Sequence, residues 1–165
     1  YDIDALALRF DASPEQLCHR FTTLRRPGAE GVPFAFLRAN AAGYLTKRFP
    51  LPRFPMPRYG GACPLWPVYT AMQTPNLRQR QLVEFPNGDR FFIIARATRA
   101  VAHAFGRTRP SYSLMLACDA LNADRLVYSD GLNLSPAANA EPVGSTCLLC
   151  PREDCAHRQQ DAVRA

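Results

Sequence analysis

The sequence has no apolar segment long enough to cross a membrane, because no run of about 18 apolar residues occurs in it. It also begins without the basic stretch and apolar core of a signal peptide. These absences predict a cytoplasmic protein without a membrane partner. The opening stretch YDIDALALRF resembles a helix entered in mid-protein, which predicts that the chain is part of a longer protein.

The sequence also lacks the common catalytic motifs, since it contains no H-E-x-x-H, no G-x-S-x-G and no P-loop. Of its three histidines, His19 is predicted to be a surface residue and His103 a structural one. The carboxylates are too scattered to form an acid–base pair. We therefore expect that the protein is not an enzyme.

Lysine is nearly absent, because Lys47 is the only one among 20 basic residues. The net charge is +6, and the excess of arginine lies in residues 51–110. Arginine binds phosphate and carboxylate oxygens through paired hydrogen bonds, so this composition favours an anionic partner. A solvated, arginine-rich surface is the simpler interpretation of the same charge.

The apolar pattern predicts an α+β domain. One helix covers DIDALALRF, and a second opens with Ser13 as N-cap and Pro14 at its first position. Two β-hairpins are expected, with turns at 40–43 and at Asn87-Gly88, separated by a proline-rich loop and a short helix around 66–72. SYSLMLACDA predicts another strand, whereas ADRLVYSDGL fits either a helix or a strand.

This order of elements predicts an antiparallel sheet with flanking helices on one face, of the GAF/PAS kind. Three segments are expected. Residues 1–27 form a short N-terminal helical segment, residues 28–140 the α+β sensor domain, and residues 141–165 a C-terminal cysteine tail.

Six cysteines carry the most specific signal in the sequence. Three lie in CLLCPREDC and could be metal ligands, disulfide partners or small buried hydrophobes. Cys18 and Cys118 stand in apolar context and are predicted to be core thiols. In a cytosolic protein, clustered cysteines favour a metal over disulfides.

A fourth ligand is expected from the loop 60–64, where Cys63 lies in GGACP beside two glycines. The predicted site therefore consists of Cys63, Cys147, Cys150 and Cys155. Four thiolates suit either a tetrahedral Zn²⁺ or a [4Fe–4S] cluster, and their spacing leaves both open. His157 is an alternative ligand in a zinc site.

Several stretches, among them FDASPEQLCHRFTTLRRPGAEGVPFAFLR, GGACPLW, RFFIIARATR and VGSTCLLCPREDCAHR, resemble the C-terminal sensory region of short-chain fatty acyl-CoA regulators. These are bacterial XRE-type transcription factors with an IrrE-like segment. The resemblance implies that residues 1–27 end such a segment and that an upstream helix-turn-helix binds DNA. It also implies an iron–sulfur cluster on the four cysteines, and it is compatible with a homodimer.

The resemblance further implies a short-chain acyl-CoA effector, bound by the sheet domain. CoA needs cations for its phosphates and apolar walls for its acyl chain. Cations are available on or beside the hairpins, and Phe36, Phe92 and Tyr128 are candidate walls. The cationic candidates are Arg38, Lys47, Arg48, Arg96 and Arg99.

Two other functions remain open from the sequence. One is a zinc-stabilised nucleic-acid-binding domain that uses the arginine-rich middle segment. The other, weaker alternative is a hydrolase or transferase acting on CoA esters.

Overall fold

The helices and strands follow the order that the apolar pattern predicts. The computed structural model describes residues 1–24, 26–75, 77–98 and 111–163. In these ranges the α-helices are α1 (Ile3–Phe10), α2 (Pro14–Thr23) and α3 (Pro67–Gln73). The strands are β1 (Ala35–Asn40), β2 (Leu45–Phe49), β3 (Gln79–Glu84), β4 (Arg90–Ala97), β5 (Tyr112–Asp119) and β6 (Glu141–Pro142). Short 3₁₀ helices cover Ala120–Arg125, Val127–Ser129 and Cys147–Leu149.

The strands form one six-stranded sheet in the order β2-β1-β5-β4-β3-β6. All neighbouring pairs are antiparallel except the last, in which β6 runs parallel to β3. Both hairpins form at the predicted turns, and the segment ADRLVYSDGL contains 3₁₀ helix over 123–125 and 127–129. The predicted α+β class with an antiparallel sheet is confirmed.

Both faces of the sheet are covered by helices. Adjacent residues of a strand point to opposite faces, so Leu37 and Met115 join the core beneath α3, whereas Phe36 and Leu116 join the core beneath α1 and α2. We call these the α3 face and the α1–α2 face. The prediction of helices on one face only was wrong, because β4 and β5 are almost wholly buried and need cover on both sides.

Helix α2 begins as predicted and packs closely on the sheet. The Ser13 side chain and the Gln16 side chain form a reciprocal capping box. Cys18, which belongs to the same helix, is buried, as expected for a core thiol. His19 was predicted at the surface, but its ring lies half-buried, with its centroid 4.3 Å from that of Phe49. The prediction failed because β2 extends beneath this turn of the helix.

The N-terminal helices share a core with the sheet, since Ile3 and Leu17 pack in the same cluster as Phe36. The division of the chain into segments 1–27, 28–140 and 141–165 stays a prediction. Among the described residues, we find no helix with the length and apolar character needed to span a membrane.

An ion-pair cluster fastens α2 to the first hairpin. Glu15 of α2 lies 3.0 Å from the Arg38 guanidinium and also pairs with Lys47. Burial alone would raise the pKa of Glu15, but the hydrogen bond from Lys47 and the charge of Arg38 hold it below its ordinary value. The ionised carboxylate therefore stabilises the folded state.

Replacing Glu15 by Gln should lower the free energy of unfolding at pH 7 by about 1 kcal/mol, as for other partly exposed ion pairs. Because the folded pKa is depressed, this stabilisation is present above the ordinary carboxyl pKa of 4.5 and is lost as the pH falls through the lower folded value. Urea unfolding at several pH values measures it. An unchanged difference between variant and wild type at acidic pH would contradict the assignment.

Trp66, just before α3, is the largest fully buried side chain and packs against Phe54 at 5.3 Å between ring centroids. Its indole Nε1–H donates to the Gly144 carbonyl at 2.9 Å. The indole therefore joins the α3 face to the segment that follows β6.

Trp66→Ala should lower the free energy of unfolding by about 3–5 kcal/mol through the cavity that it creates. Trp66→Phe keeps an aromatic ring but leaves the Gly144 carbonyl without its donor, so it should still cost about 1–3 kcal/mol. Urea unfolding measures both changes. Leu8→Ala is the control, because Leu8 is 86% exposed and should change stability by less than about 0.5 kcal/mol.

Candidate metal centre

Four cysteines from two distant segments line one small cavity beside the β3–β6 edge of the sheet. They are Cys63, Cys147, Cys150 and Cys155, the four residues that the sequence predicts as ligands. Cys63 is buried and the other three are half-buried. The tertiary structure therefore brings the loop 60–64 and the C-terminal tail together at the predicted thiols.

The remaining two cysteines lie elsewhere. Cys18 and Cys118 belong to the core of the α1–α2 face, on the opposite side of the sheet from Trp66. Burial raises the pKa of each thiol to about 12, so both stay protonated at neutral pH. Their predicted role as core thiols is confirmed.

Backbone hydrogen bonds to the tail and to Trp66 hold Cys63 in place. Its N–H donates to the Ser145 carbonyl at 2.8 Å, and its own carbonyl accepts from the Trp66 N–H at 3.0 Å. With the indole bond to Gly144, two hydrogen bonds join the loop to residues 144–145. The cavity is thus closed by the same contacts that anchor Trp66.

The other three cysteines lie in the segment that follows strand β6. The Val143 N–H donates to the Glu84 carbonyl at 3.0 Å, which continues the pairing of β6 with β3. The Thr146 side chain then caps the short 3₁₀ helix that begins at Cys147, and the Cys150 N–H donates to the Cys147 carbonyl at 3.3 Å. Cys147 and Cys150 consequently stand one turn apart at the same wall of the cavity.

Gly144 allows the close approach of the two segments. A Cβ atom at this position would lie 2.9 Å from the Cys150 sulfur and 3.1 Å from its Cβ. A side chain here would therefore push Cys150 out of the cavity. The glycine is required by space, because its backbone does not adopt a left-handed conformation.

Two of the other thiols are close enough to affect the ionisation of Cys63. Burial raises the pKa of Cys63, and the charges of Cys147 and Cys150 raise it further, while backbone hydrogen bonds from Gly144 and Leu65 oppose the rise. Several thiolates in this cavity would repel one another, so a cation is needed to hold them all ionised at neutral pH. The donor set, which is made of soft sulfur atoms, fits Zn²⁺ or an iron–sulfur cluster.

The sulfur atoms line the cavity without forming a ready coordination shell. In the described part of the chain, no group of three or more His, Cys, Asp or Glu side chains is arranged to hold a metal ion. Binding would therefore require rotation of the half-buried thiols toward Cys63. His157 lines the same cavity, so its role as an alternative zinc ligand stays a prediction.

Two arginines of the tail also line this cavity, and the sequence patterns did not single them out. Arg152 donates to the carbonyls of Val143 at 2.8 Å and Glu84 at 3.2 Å. Arg158 donates to the carbonyls of Cys147 at 3.1 Å and Cys150 at 3.2 Å, and to that of Arg152. Only the tertiary structure reveals these contacts, because their acceptors are backbone atoms.

The residues proposed for acyl-CoA do not form one cluster. Arg38 and Lys47 lie opposite each other on the hairpin and share Glu15, and Arg96 pairs with Asp4 of α1 at 2.5 Å. Arg48 is paired in register with Leu37 and faces the α3 side.

The remaining described candidates lie on the α1–α2 face, and Tyr128 lines the same small cavity as Arg96. Tyr128 accepts a hydrogen bond from the Ile3 N–H at 2.8 Å, and Phe36 and Phe92 are fully buried in the α1–α2 core. Arg99 lies outside the described residues. A role of these side chains in ligand binding stays a prediction.

Comparison with known proteins places this architecture in a family. Residues 23–165 match the family described as "Short-chain fatty acyl coenzyme A regulator, C-terminal". A relative from Cereibacter sphaeroides, "Propionyl-CoA carboxylase regulator", is 44% identical over 158 residues, which cover 96% of this chain and 34% of the relative. The "HTH-type transcriptional regulator PrpR" of Mycobacterium tuberculosis is 39% identical over 158 residues, or 96% of this chain and 32% of the relative.

The fold agrees with the sequence comparison. A solved structure of a "Mycobacterium tuberculosis transcriptional regulator" superimposes with a TM-score of 0.89 at 38% identity, over 98% of this chain and 49% of that one. The chain spans about a third of the length of the curated relatives that it matches. It belongs to the C-terminal domain family of the short-chain fatty acyl coenzyme A regulators.

Proposed function

We propose that this chain is the regulatory domain of a bacterial transcriptional regulator and that its four clustered cysteines hold an iron–sulfur cluster, with [4Fe–4S] preferred over Zn²⁺. The observation that carries the proposal is the meeting of Cys63 with Cys147, Cys150 and Cys155 at one cavity. The domain would act in the cytoplasm, and an upstream helix-turn-helix would contact the DNA. A homodimer is consistent with this role.

The cluster site would join two segments that otherwise meet through few contacts. Cys63 is contributed by the loop before α3, and the other thiols by the tail beyond β6. A bound cluster adds coordination bonds between them, so its binding energy stabilises the folded arrangement. Loss of the cluster would leave the loop and the tail joined by their hydrogen bonds alone, with the sheet intact.

A structural route leads from this site to the core. The Gly144 carbonyl, beside the cavity, accepts from the Trp66 indole, and Trp66 packs in the α3 face. A change in the position of residues 144–150 would therefore alter the packing at the start of α3. Regulation requires that the two states bind DNA or effector with different affinities.

The effector proposed for this domain is a short-chain acyl-CoA. Its phosphates would need Arg38 and Lys47, which at present neutralise Glu15. Binding there would replace the carboxylate as their partner and so loosen α2 from the sheet. An effector at this place would thus couple directly to the position of a helix.

The nucleic-acid-binding alternative is less well supported, because most arginines in the described part of residues 51–110 are engaged within the protein. Arg53 pairs with Asp89 and Asp119. Several others pair with Asp4 or donate to backbone carbonyls, and the structure shows these contacts for Arg78, Arg80, Arg90 and Arg96. Arginines that are bound in this way offer few free donors to a phosphate backbone.

The chain purified without oxygen should show the broad visible absorption of an iron–sulfur chromophore, with roughly four iron atoms per chain. Cys63→Ser and Cys150→Ser should each lose the metal and lower the melting temperature, because metal binding contributes folding energy. Cys118→Ser is the matched control and should keep the metal, since Cys118 lies in the opposite core. A colourless chain with one zinc would replace the cluster by Zn²⁺, and a chain without either metal would refute the site.

Propionyl-CoA or acetyl-CoA titrated into the chain should release or absorb heat in a calorimeter and raise its melting temperature. Arg38→Gln should weaken the affinity by about tenfold or more, the usual cost of a lost charge-assisted hydrogen bond. Arg48→Gln is the control, because Arg48 faces the α3 side and should leave the affinity unchanged. The absence of both heat and thermal shift with either compound would refute acyl-CoA binding by this chain.

A further inference from the structure

Arg158 donates hydrogen bonds to several backbone carbonyls in and around the cysteine loop. Its guanidinium donates to the carbonyls of Cys147 at 3.1 Å, of Cys150 at 3.2 Å and of Gln160 at 3.2 Å, and also to that of Arg152. The side chain itself is half-buried and lines the cavity with the thiols. One side chain therefore contacts the backbone of two candidate ligands at once.

The positions of the acceptor carbonyls explain how Arg158 influences the shape of the cysteine loop. The carbonyls of Cys147 and Cys150 belong to the two ends of the C-x2-C turn, so holding them in place fixes the backbone from which both cysteine side chains project. A planar guanidinium carries five donors in a fixed geometry, so it can hold several carbonyls in one relative orientation. An ammonium group has three donors on a single centre and does not reproduce this arrangement.

Arg152 connects the same loop to the sheet. Its guanidinium donates to the Val143 carbonyl, just after β6, and to the Glu84 carbonyl on β3, while its own carbonyl accepts from Arg158. A continuous series of hydrogen bonds therefore runs from the sheet edge through Arg152 to Arg158 and on to the two cysteine carbonyls. The loop between Cys150 and Cys155 has little regular structure of its own, so these bonds supply its order.

The negative charge of a four-thiolate site gives a second reason for arginines beside this cavity. Four thiolates around Zn²⁺, or around a [4Fe–4S] cluster in its usual oxidised state, leave a net negative charge. Arg152 and Arg158 both line the cavity and would offset this charge. The acidic residues of the loop, Glu153 and Asp154, are exposed instead.

We propose that Arg158 is a positioning residue for the four-thiolate site: it holds the Cys147 and Cys150 backbone in the arrangement from which their sulfur atoms can turn toward Cys63, and it acts through the loop without binding the metal itself. This inference rests on the proposed metal function of the four cysteines. It goes beyond that function by assigning the geometry of the site to a residue outside the ligand set.

The test uses metal ions alone as probes. The reduced, metal-free chain is titrated with Zn²⁺ against a chromogenic chelator and, separately, with Co²⁺, whose absorption bands report tetrahedral thiolate coordination. Arg158→Ala should weaken Zn²⁺ binding by about 10–100-fold, the typical cost of losing a group that orients metal ligands. The Co²⁺ bands should also lose intensity or shift, which a general loss of stability in a folded chain would not cause.

Arg80→Ala is the matched control. Arg80 also donates to two backbone carbonyls, those of Tyr128 at 2.9 Å and Asp130 at 2.8 Å, but it lies outside the set of residues that line the cavity. Arg80→Ala should leave Zn²⁺ affinity and the Co²⁺ spectrum unchanged.

Arg158→Lys is a second test variant, for use if the alanine variant does not fold. It keeps the positive charge and most of the aliphatic part of the side chain. The lysine variant should still bind Zn²⁺ at least about tenfold more weakly than wild type.

The outcomes separate the inference from the function on which it rests. If the wild-type chain binds neither ion, the proposed metal site fails and the positioning role fails with it. If the wild-type chain binds both and the folded Arg158 variants bind within twofold of it, the metal site stands and the positioning role is overturned. Equal weakening by Arg80→Ala would likewise overturn it, because the effect would then be one of general stability.

Discussion

The organisation of this domain depends on a sheet that is apolar on both faces. Because β4 and β5 bury nearly every side chain, α3 must cover one face, and α1 with α2 must cover the other. This arrangement leaves the edges of the sheet as the places where polar and reactive groups can meet. The cysteine cavity lies at one such edge, beside β3 and β6.

The candidate site is built mainly from backbone contacts between distant segments. The Cys63 N–H and the Trp66 indole bind the carbonyls of Ser145 and Gly144, and Gly144 leaves just enough room for the Cys150 sulfur. The site is therefore continuous with the hydrophobic core of the α3 face. This continuity offers a physical basis for regulation, because a change at the thiols is a change in the surroundings of Trp66.

Some of the site could be predicted from residue types and spacing, and some could not. The four thiols were identifiable because C-x2-C and the glycines beside Cys63 are local signals, and the core location of Cys118 followed from its apolar strand. The half-buried position of His19 and the contacts of Arg158 were not identifiable. Both depend on which distant segment packs against the side chain, and the spacing of apolar residues in the sequence does not indicate that packing. The separation of Arg48 from the other described acyl-CoA candidates, which lie on the α1–α2 face, has the same origin.

Local sequence patterns were enough to predict the α+β class, both hairpins, the capping of α2 at Ser13 and the set of clustered thiols. Each of these depends on interactions within a few residues, such as turn geometry, side-chain capping and alternating hydrophobicity. The folded chain was needed to reveal that helices cover both faces, that β6 adds to β3, and that Arg152 and Arg158 contact the backbone around the cysteine loop. Those features arise from contacts between segments far apart in the chain, where the energy of packing and hydrogen bonding depends on the assembled neighbours.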